Sequence, residues 1–454
     1  MSTWRVTLLL AVISTFSFWL GCSEAPPKED PKNTNNGTDK SALTYYKDIK
    51  PLLDKNCVSC HTKGCIGPFH LNDYKEVYKI RHLIANEVKS KRMPPWHAGE
   101  KCQDYLDNPS MSELEIKKIV DWVGTGGTEG KLADYTKPDN GHLKPKSSGL
   151  SRVDLTLKPK VAYKGYKKPD DHRCFVMDWP LKEKTFVTGV QINPDNLNVV
   201  HHVIVVAIPP SQVQKLEKLE AEDEKPGYVC YGSPGRGLTT KSLGAWVPGA
   251  KQRDMPKGAG VTIEPGSKII VQMHYNVTSG DAGPDQTSVS FKVDDKIERE
   301  MLSYPVVNPL WIAAKTMNIP AGKSDVKHSH VIDTAKGFAG RFTIPEGKTA
   351  TVYAATLHLH TRGKSARLWV ERKGGGNACL LNIPRWDFNW QGRYYFKKPL
   401  ELKSGDKVGI ECHWDNTAKN QPTIDGKKIT PRELNWGDGT HDEMCLGAFF
   451  YTLK

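Results

Sequence analysis

From Val153 onward the chain is a succession of short segments rich in β-branched and aromatic residues, broken by Gly, Pro and Asn. This pattern narrows the fold more than any other feature. Strands are predicted at 185–192, 199–208, 267–277, 287–293, 349–359, 366–371, 407–413 and 448–453. A charged piece from Gln212 to Glu224 is the one helical exception. Many short strands with turn signals predict all-β sandwiches, and the length of this half allows two. We place them at residues 153–304 and 305–454, both jelly-roll-like.

The first part reads differently. Cys57-Val58-Ser59-Cys60-His61 has the spacing that attaches a c-type haem: two thiols one turn apart reach the vinyl groups and the next residue supplies an axial imidazole. The alternative is a redox or zinc CxxC, which would need a second zinc-binding pair or a thioredoxin-like βαβ pattern, and neither accompanies it. The flanks are helical. One helix leads in over residues 45–53. Another starts at a Ser112/Glu115 capping box, continues through Ile116, Ile119, Val120 and Val123, and stops at Gly124, Gly126 and Gly127. A small all-α cytochrome c domain is therefore expected at 43–133, with one covalent haem c. Met93, followed by Pro94 and Pro95, is chosen as the sixth ligand over Met111, His70, His82 and His97. Cys65 and Cys102 are left to pair with each other. Residues 134–152, overlapping a Lys-, Pro-, Gly- and Ser-rich stretch from Gly130 to Ser151, form the expected linker, a tether requiring no fixed interface.

Arg5 precedes an apolar run from Val6 to Leu20 that ends in Leu20-Gly21-Cys22, too short for a comfortable span. It resembles a bacterial lipoprotein signal, although Trp19 stands where a small aliphatic residue is usual; a plain secretory signal is the alternative. We expect a signal peptide at 1–21, lipidation of Cys22, a flexible tether at 22–42, and an exported protein anchored by lipid to the outer membrane on the periplasmic side. Export makes pairing the default for those of the ten cysteines that lie outside cofactor sites. The net charge of +13 is spread along the chain and not gathered into a basic run, so nucleic acid is not an expected partner.

The β half carries the histidines of interest. His358 and His360 alternate with Leu357 and Leu359, so on a strand they share one face. His201 and His202 are adjacent and would face opposite ways; one metal reaches both only at a strand end or bulge, or through different ring nitrogens. His274 and the sequence His441-Asp442-Glu443-Met444-Cys445 follow.

Together these motifs resemble the copper type II, ascorbate-dependent monooxygenases, a family of paired β-sandwiches, over about residues 153–454. The resemblance implies two copper ions. His201, His202 and His274 would form a three-histidine site, and His358, His360 and Met444 the site that binds oxygen and substrate. It also implies disulfides Cys174–Cys230 and Cys412–Cys445 and places Gln272 on the inter-copper face. Neutral imidazoles suit copper in both oxidation states, and a thioether favours the reduced ion. A zinc hydrolase would need no second His-His-Met set, and a blue-copper carrier needs a cysteine ligand. His328, His330, His413 and His441 have no matching role and are read as structural.

The peptide-processing members place an arginine where this chain has Thr356, and an asparagine and a tyrosine where it has Leu446 and Ala448. A glycine-extended peptide is therefore not the expected substrate. The expectation is hydroxylation of a C–H bond of a small organic substrate with dioxygen. Electrons would come from an exported cytochrome, a quinol-linked carrier or a small reductant, pass through the haem and reach the three-histidine site. A non-catalytic electron-transfer or copper-binding protein on the same scaffold is the alternative.

Overall fold

The computed structural model describes residues 42–454 except 64–66, 68, 100, 139–148, 169, 231–233, 236, 248–249, 278–282, 338–339, 341, 389, 425–426, 438 and 440. The signal, Cys22 and Cys65 lie outside the described residues.

The chain is mostly β, as the segmented pattern predicts. Two sheets, antiparallel except where Arg299–Glu300 runs parallel to Ala259–Ile263, share one apolar core built from Val187, Val190, Ile192, Val289 and Phe291 of one and Val203, Val205, Val271, Met273 and Tyr275 of the other. Two four-stranded sheets enclose the second core, which includes Val352, Leu357, Leu368, Ile410, Trp414 and Phe449. Strands form at Thr185–Asn193, Val200–Ile208, Lys268–Asn276, Ser288–Asp294, Thr349–His358, Gly363–Glu371, Lys407–Trp414 and Leu446–Leu453, within a few residues of their expected bounds. The strand Leu302–Val306 already pairs with Leu446–Leu453 of the second sandwich, so the boundary falls before Leu302, not after residue 304.

Alternation sorts the faces of the first sandwich. On Lys268–Asn276, Ile269, Val271, Met273 and Tyr275 face the core, leaving Ile270, Gln272 and His274 on the other side. There the Cys174–Cys230 disulfide and Leu216 of the helix Val213–Ala221 cover Ile270.

Helices are concentrated before residue 125. A π-helical turn, Tyr45–Ile49, runs into Lys50–Asn56, and Tyr74–Lys79, Arg81–Lys89 and Glu113–Gly124 follow. Ser112 caps the last one: its hydroxyl accepts from the Glu115 N–H while the Glu115 carboxylate accepts from the Ser112 N–H. These helices bury Tyr45, Ile49, Leu53, Val77, Ile119 and Trp122 against one another, with Cys57 and Val58 packed on the cluster.

Two expectations about this region need correction. Cys102 pairs with Cys379, on the strand Asn377–Ile383 of the second sandwich, and not with Cys65. Nor is the region joined to the sandwiches by a tether alone. Tyr105 is buried in the second core, its hydroxyl donates to the Leu380 carbonyl at 3.0 Å, and its ring packs with Trp96, Tyr394 and Phe396. Backbone bonds Leu106 N–H to Tyr395 O and Lys397 N–H to Asp104 O, each 2.7 Å, complete the join. Aromatic burial and a covalent bridge fix this contact, whatever path the linker takes.

Candidate metal centres

The adjacent histidines meet because the Val200–Ile208 strand bulges. Its register against Lys268–Asn276 shifts between Val200 and His202, so His201 turns to the side of its neighbour. His202 then pairs directly with His274. The three Nδ1 atoms form a nearly equilateral triangle: His201–His202 3.2 Å, His201–His274 3.1 Å and His202–His274 3.2 Å. An ion about 2.0–2.1 Å from three imidazole nitrogens holds them about 3.3–3.6 Å apart, so a slight outward shift of the rings would seat one. Three lone pairs at this distance repel one another, and a cation between them reverses the sign. Burial, reinforced by the neighbouring imidazoles, holds His202 and His274 well below the ordinary histidine pKa. Both are therefore neutral, the form that binds metals.

The second set is built at the end of a strand. His358 closes Thr349–His358 and His360 follows in the turn, with ring centroids 5.1 Å apart. His358 Nδ1 contacts Gln391 Oε1, and His360 Nδ1 lies 3.2 Å from the Asp442 carbonyl oxygen. Both partners are acceptors only, so each Nδ1 carries the proton and each Nε2 is left with its lone pair. Burial brings His360 down to about 3 and lowers His358 as well.

Met444 is buried in the second core on a segment bonded to this turn. Glu443, fully buried, accepts from the backbone N–H of His360 (3.0 Å) and of Arg362 (2.7 Å) and from Trp414 Nε1 (2.9 Å). Burial raises its carboxyl to about 7, against the pull of these donors. The Cys412–Cys445 disulfide ties the residue after Met444 to the strand Lys407–Trp414. Gln272 is buried two residues before His274 on the same strand face.

The connection between the strands Asn377–Ile383 and Tyr394–Lys403 reaches both sets. Phe388 stands 6.5 Å from the His201 ring and 6.3 Å from the His360 ring, centroid to centroid. Trp386 Nε1 donates to the His360 carbonyl at 3.2 Å, and Arg385 Nη2 donates to the Lys91 carbonyl at 2.9 Å in the helical region. Sequence reasoning missed Phe388, Gln391, Glu443 and the pair Asp170 and His172, which lie against His274. An Asp-x-His spaced to share one strand face was the available signal for the last pair.

In the helical region neither Cys57 nor Cys60 is in a disulfide. Burial pushes the Cys57 thiol up to about 12, unlike the depressed values of redox-active CxxC pairs. His61 Nδ1 lies 3.1 Å from the Phe69 carbonyl oxygen, which fixes its proton there and leaves Nε2 available. Met93, 39% exposed, and Met111, buried, both line a cavity of about 500 Å³ between the helices and the second sandwich. His97 is elsewhere, buried with Nε2 3.9 Å from Asp387 Oδ2.

Residues 310–452 match the family model for the C-terminal domain of copper type II ascorbate-dependent monooxygenases. The segment contains His358, His360, Met444 and the Cys412–Cys445 bridge. The chain is 25% identical over 338 residues to DBH-like monooxygenase protein 1 of Gallus gallus, covering 72% of this chain and 51% of that protein. It is 23% identical to DBH-like monooxygenase protein 1 of Homo sapiens, over 63% of this chain and 44% of that protein. Identity to DBH-like monooxygenase protein 2 of Mus musculus is 26%, over 56% of this chain and 38% of that protein. The chain thus spans about half the length, or less, of these curated relatives. The family match is confined to residues 310–452, and copper is the metal expected of that family.

Proposed function

We propose that this chain is an exported copper monooxygenase carrying a covalent haem, and that it hydroxylates a C–H bond of a small organic substrate. The observation that carries the reading is the triangle of His201, His202 and His274, with His360 of the pair His358 and His360 beside the same Phe388 that stands near His201; Met444 joins the second set by the resemblance. Copper, when bound, supplies one-electron storage at each centre and the site of dioxygen activation. The residues that would hold it are His201, His202 and His274 through Nδ1, and His358 and His360 through Nε2, with Met444 as the soft ligand.

The positions where the peptide-processing members hold the peptide end are uncharged here. On the strand pair beside the second set, His358 lies opposite Leu446 and Thr356 opposite Ala448. The Thr356 hydroxyl is turned to the Gly392 carbonyl at 3.2 Å. No cation stands at these positions to hold a carboxylate, which favours a neutral, apolar substrate over a peptide end.

The haem reading rests on Cys57, Cys60 and the proton placement on His61, with Met93 as the sixth ligand. Electrons arriving from an exported donor at the helical region would cross to the sandwiches through the 385–388 segment. Arg385 is bonded to the Lys91 carbonyl, and Phe388, three residues on, lies against His201 and His360. A lipid anchor at Cys22 would hold the whole assembly at the periplasmic face of an outer membrane.

The test is oxygen uptake by the copper-loaded, reduced full chain across a panel of small neutral substrates, with product analysis under labelled dioxygen. One labelled oxygen atom per hydroxylated product is expected. Two coppers bound and redox-active with no substrate-stimulated uptake would instead make the protein a non-catalytic electron carrier. Absence of covalent haem after denaturing extraction would remove the relay alone.

A further inference from the structure

The Asp170–Asp178 strand lies beside Lys268–Asn276, with His172 in direct register with His274 and Asp170 with Asn276. Alternation puts Asp170, His172 and Cys174 on the face that carries Gln272 and His274. Asp171 and Arg173 face the other way and are accounted for. Asp171 accepts from the Tyr163 hydroxyl at 2.9 Å, and Arg173 donates to the carbonyls of Lys225, Pro226 and Gly227. Asp170 and His172 stand on the same face as His274.

Their contacts are with His274. Asp170 Oδ1 lies 2.8 Å from His274 Nε2. The His172 ring stacks on the His274 ring, centroids 4.1 Å apart and planes 13° from parallel. His274 is 1% exposed, and Asp170 and His172 bear on the side of its ring away from His201 and His202 Nδ1.

We infer that Asp170 is a positioning residue for the three-histidine centre, acting through His274. A carboxylate accepts only, so it draws the imidazole proton to Nε2 and presents the Nδ1 lone pair to the triangle of nitrogens. Without it His274 is free to carry its proton on Nδ1, the wrong tautomer for metal binding, or to rotate on the His172 face. The hydrogen bond also makes the imidazole a stronger donor. This inference rests on the reading that the triangle holds copper.

The experiment uses the full chain and copper alone as the probe. Asp170→Ala, Asp170→Asn and wild type are titrated against a chelator of known affinity, with the Cu(II) EPR spectrum and the thermal midpoint recorded for each. Asp170→Ala should weaken copper at the three-histidine centre 10- to 100-fold, shift its hyperfine splitting and leave the second centre unchanged. Asp170→Asn, whose amide oxygen still accepts from Nε2–H, should recover most of the affinity. That rescue, and a centre-specific EPR change, are not what a general loss of packing gives. An Asp170→Ala protein that binds copper as wild type does, with an unshifted spectrum, overturns the inference and leaves the copper reading intact. Should Asp170→Ala fail to fold, Asp170→Asn carries the test, and a spectrum and affinity weakened as much as by His274→Ala would overturn it. A wild type that takes up no copper at His201, His202 and His274 overturns both.

Discussion

The two histidine sets are built in opposite ways. In the first, three rings on two adjacent strands converge through Nδ1, and Asp170 holds the far nitrogen of one of them. In the second, two rings at a strand end have Nδ1 tied to Gln391 and to the Asp442 carbonyl, leaving Nε2 outward. The first is held by sheet register and one bulge, and the second by a buried carboxylate and a disulfide. A centre made of strand register tolerates changes in loops, whereas a centre made of a turn depends on whatever pins the turn. The variants that follow separate the two dependences.

The largest effect should come from Glu443→Ala. It strands the buried N–H groups of His360, Arg362 and Trp414, and a loss on the order of 3–5 kcal/mol is expected. Copper counting should then find the second centre emptied and the three-histidine centre filled. Urea unfolding and metal analysis on one preparation decide it; equal loss from both centres would show that they are not independently held.

Removing each disulfide sharpens the contrast. Cys174→Ala with Cys230→Ala opens a loop of 56 residues, and Cys412→Ala with Cys445→Ala one of 33. Each should cost about 2–5 kcal/mol, the longer loop by about 0.5 kcal/mol more from chain entropy. Metal should follow the reverse order, because only the Cys412–Cys445 bridge adjoins a ligand. Loss of the second metal on opening Cys174–Cys230 alone would erase the distinction.

Much of this was legible in the sequence. The strands carry their β-branched runs openly, and the Ser112/Glu115 box marks its helix start because capping is local chemistry. Adjacent His201 and His202 on a strand demand an irregularity, and the bulge is where it had to be. What stayed hidden depends on distance along the chain. The strand Asp170–Asp178 begins Asp-Asp-His-Arg, which no local rule reads as buried. Arg173 is satisfied by carbonyls more than 50 residues away. Cys102 finds Cys379 across a separation of 277 residues, and nothing near either one specifies the other. Likewise nothing in His441-Asp442-Glu443-Met444-Cys445 marks Glu443 as buried, and only the fold reveals it as the support of His360.

A pH series gives a smaller effect. His202, His274, His358 and His360 all have folded pKa values depressed by burial, His360 to about 3. The unfolded chain binds more protons than the native one below the ordinary value of about 6.5, so their contribution is full above that pH and is lost as pH falls. The thermal midpoint of the metal-free protein should drop between pH 7.5 and 5, and His360→Ala should flatten the drop. An unchanged slope would mean that His360 is protonated at no cost in the fold.

The smallest change is Gln391→Leu, which removes the acceptor from His358 Nδ1. Copper affinity at the second centre should fall about tenfold, with the first centre unaffected. A chelator titration that finds no change would remove Gln391 from the account.

Opposite ring nitrogens at the two centres are the claim on which the comparison stands. Long-range ¹H–¹⁵N spectra of the ¹⁵N-histidine-labelled protein, loaded with Cu(I), read it ring by ring. The account predicts metal at Nδ1 for His201, His202 and His274, with the proton on Nε2, and metal at Nε2 for His358 and His360, with the proton on Nδ1. The same nitrogen bound in both sets, or only one set responding to metal, would contradict it.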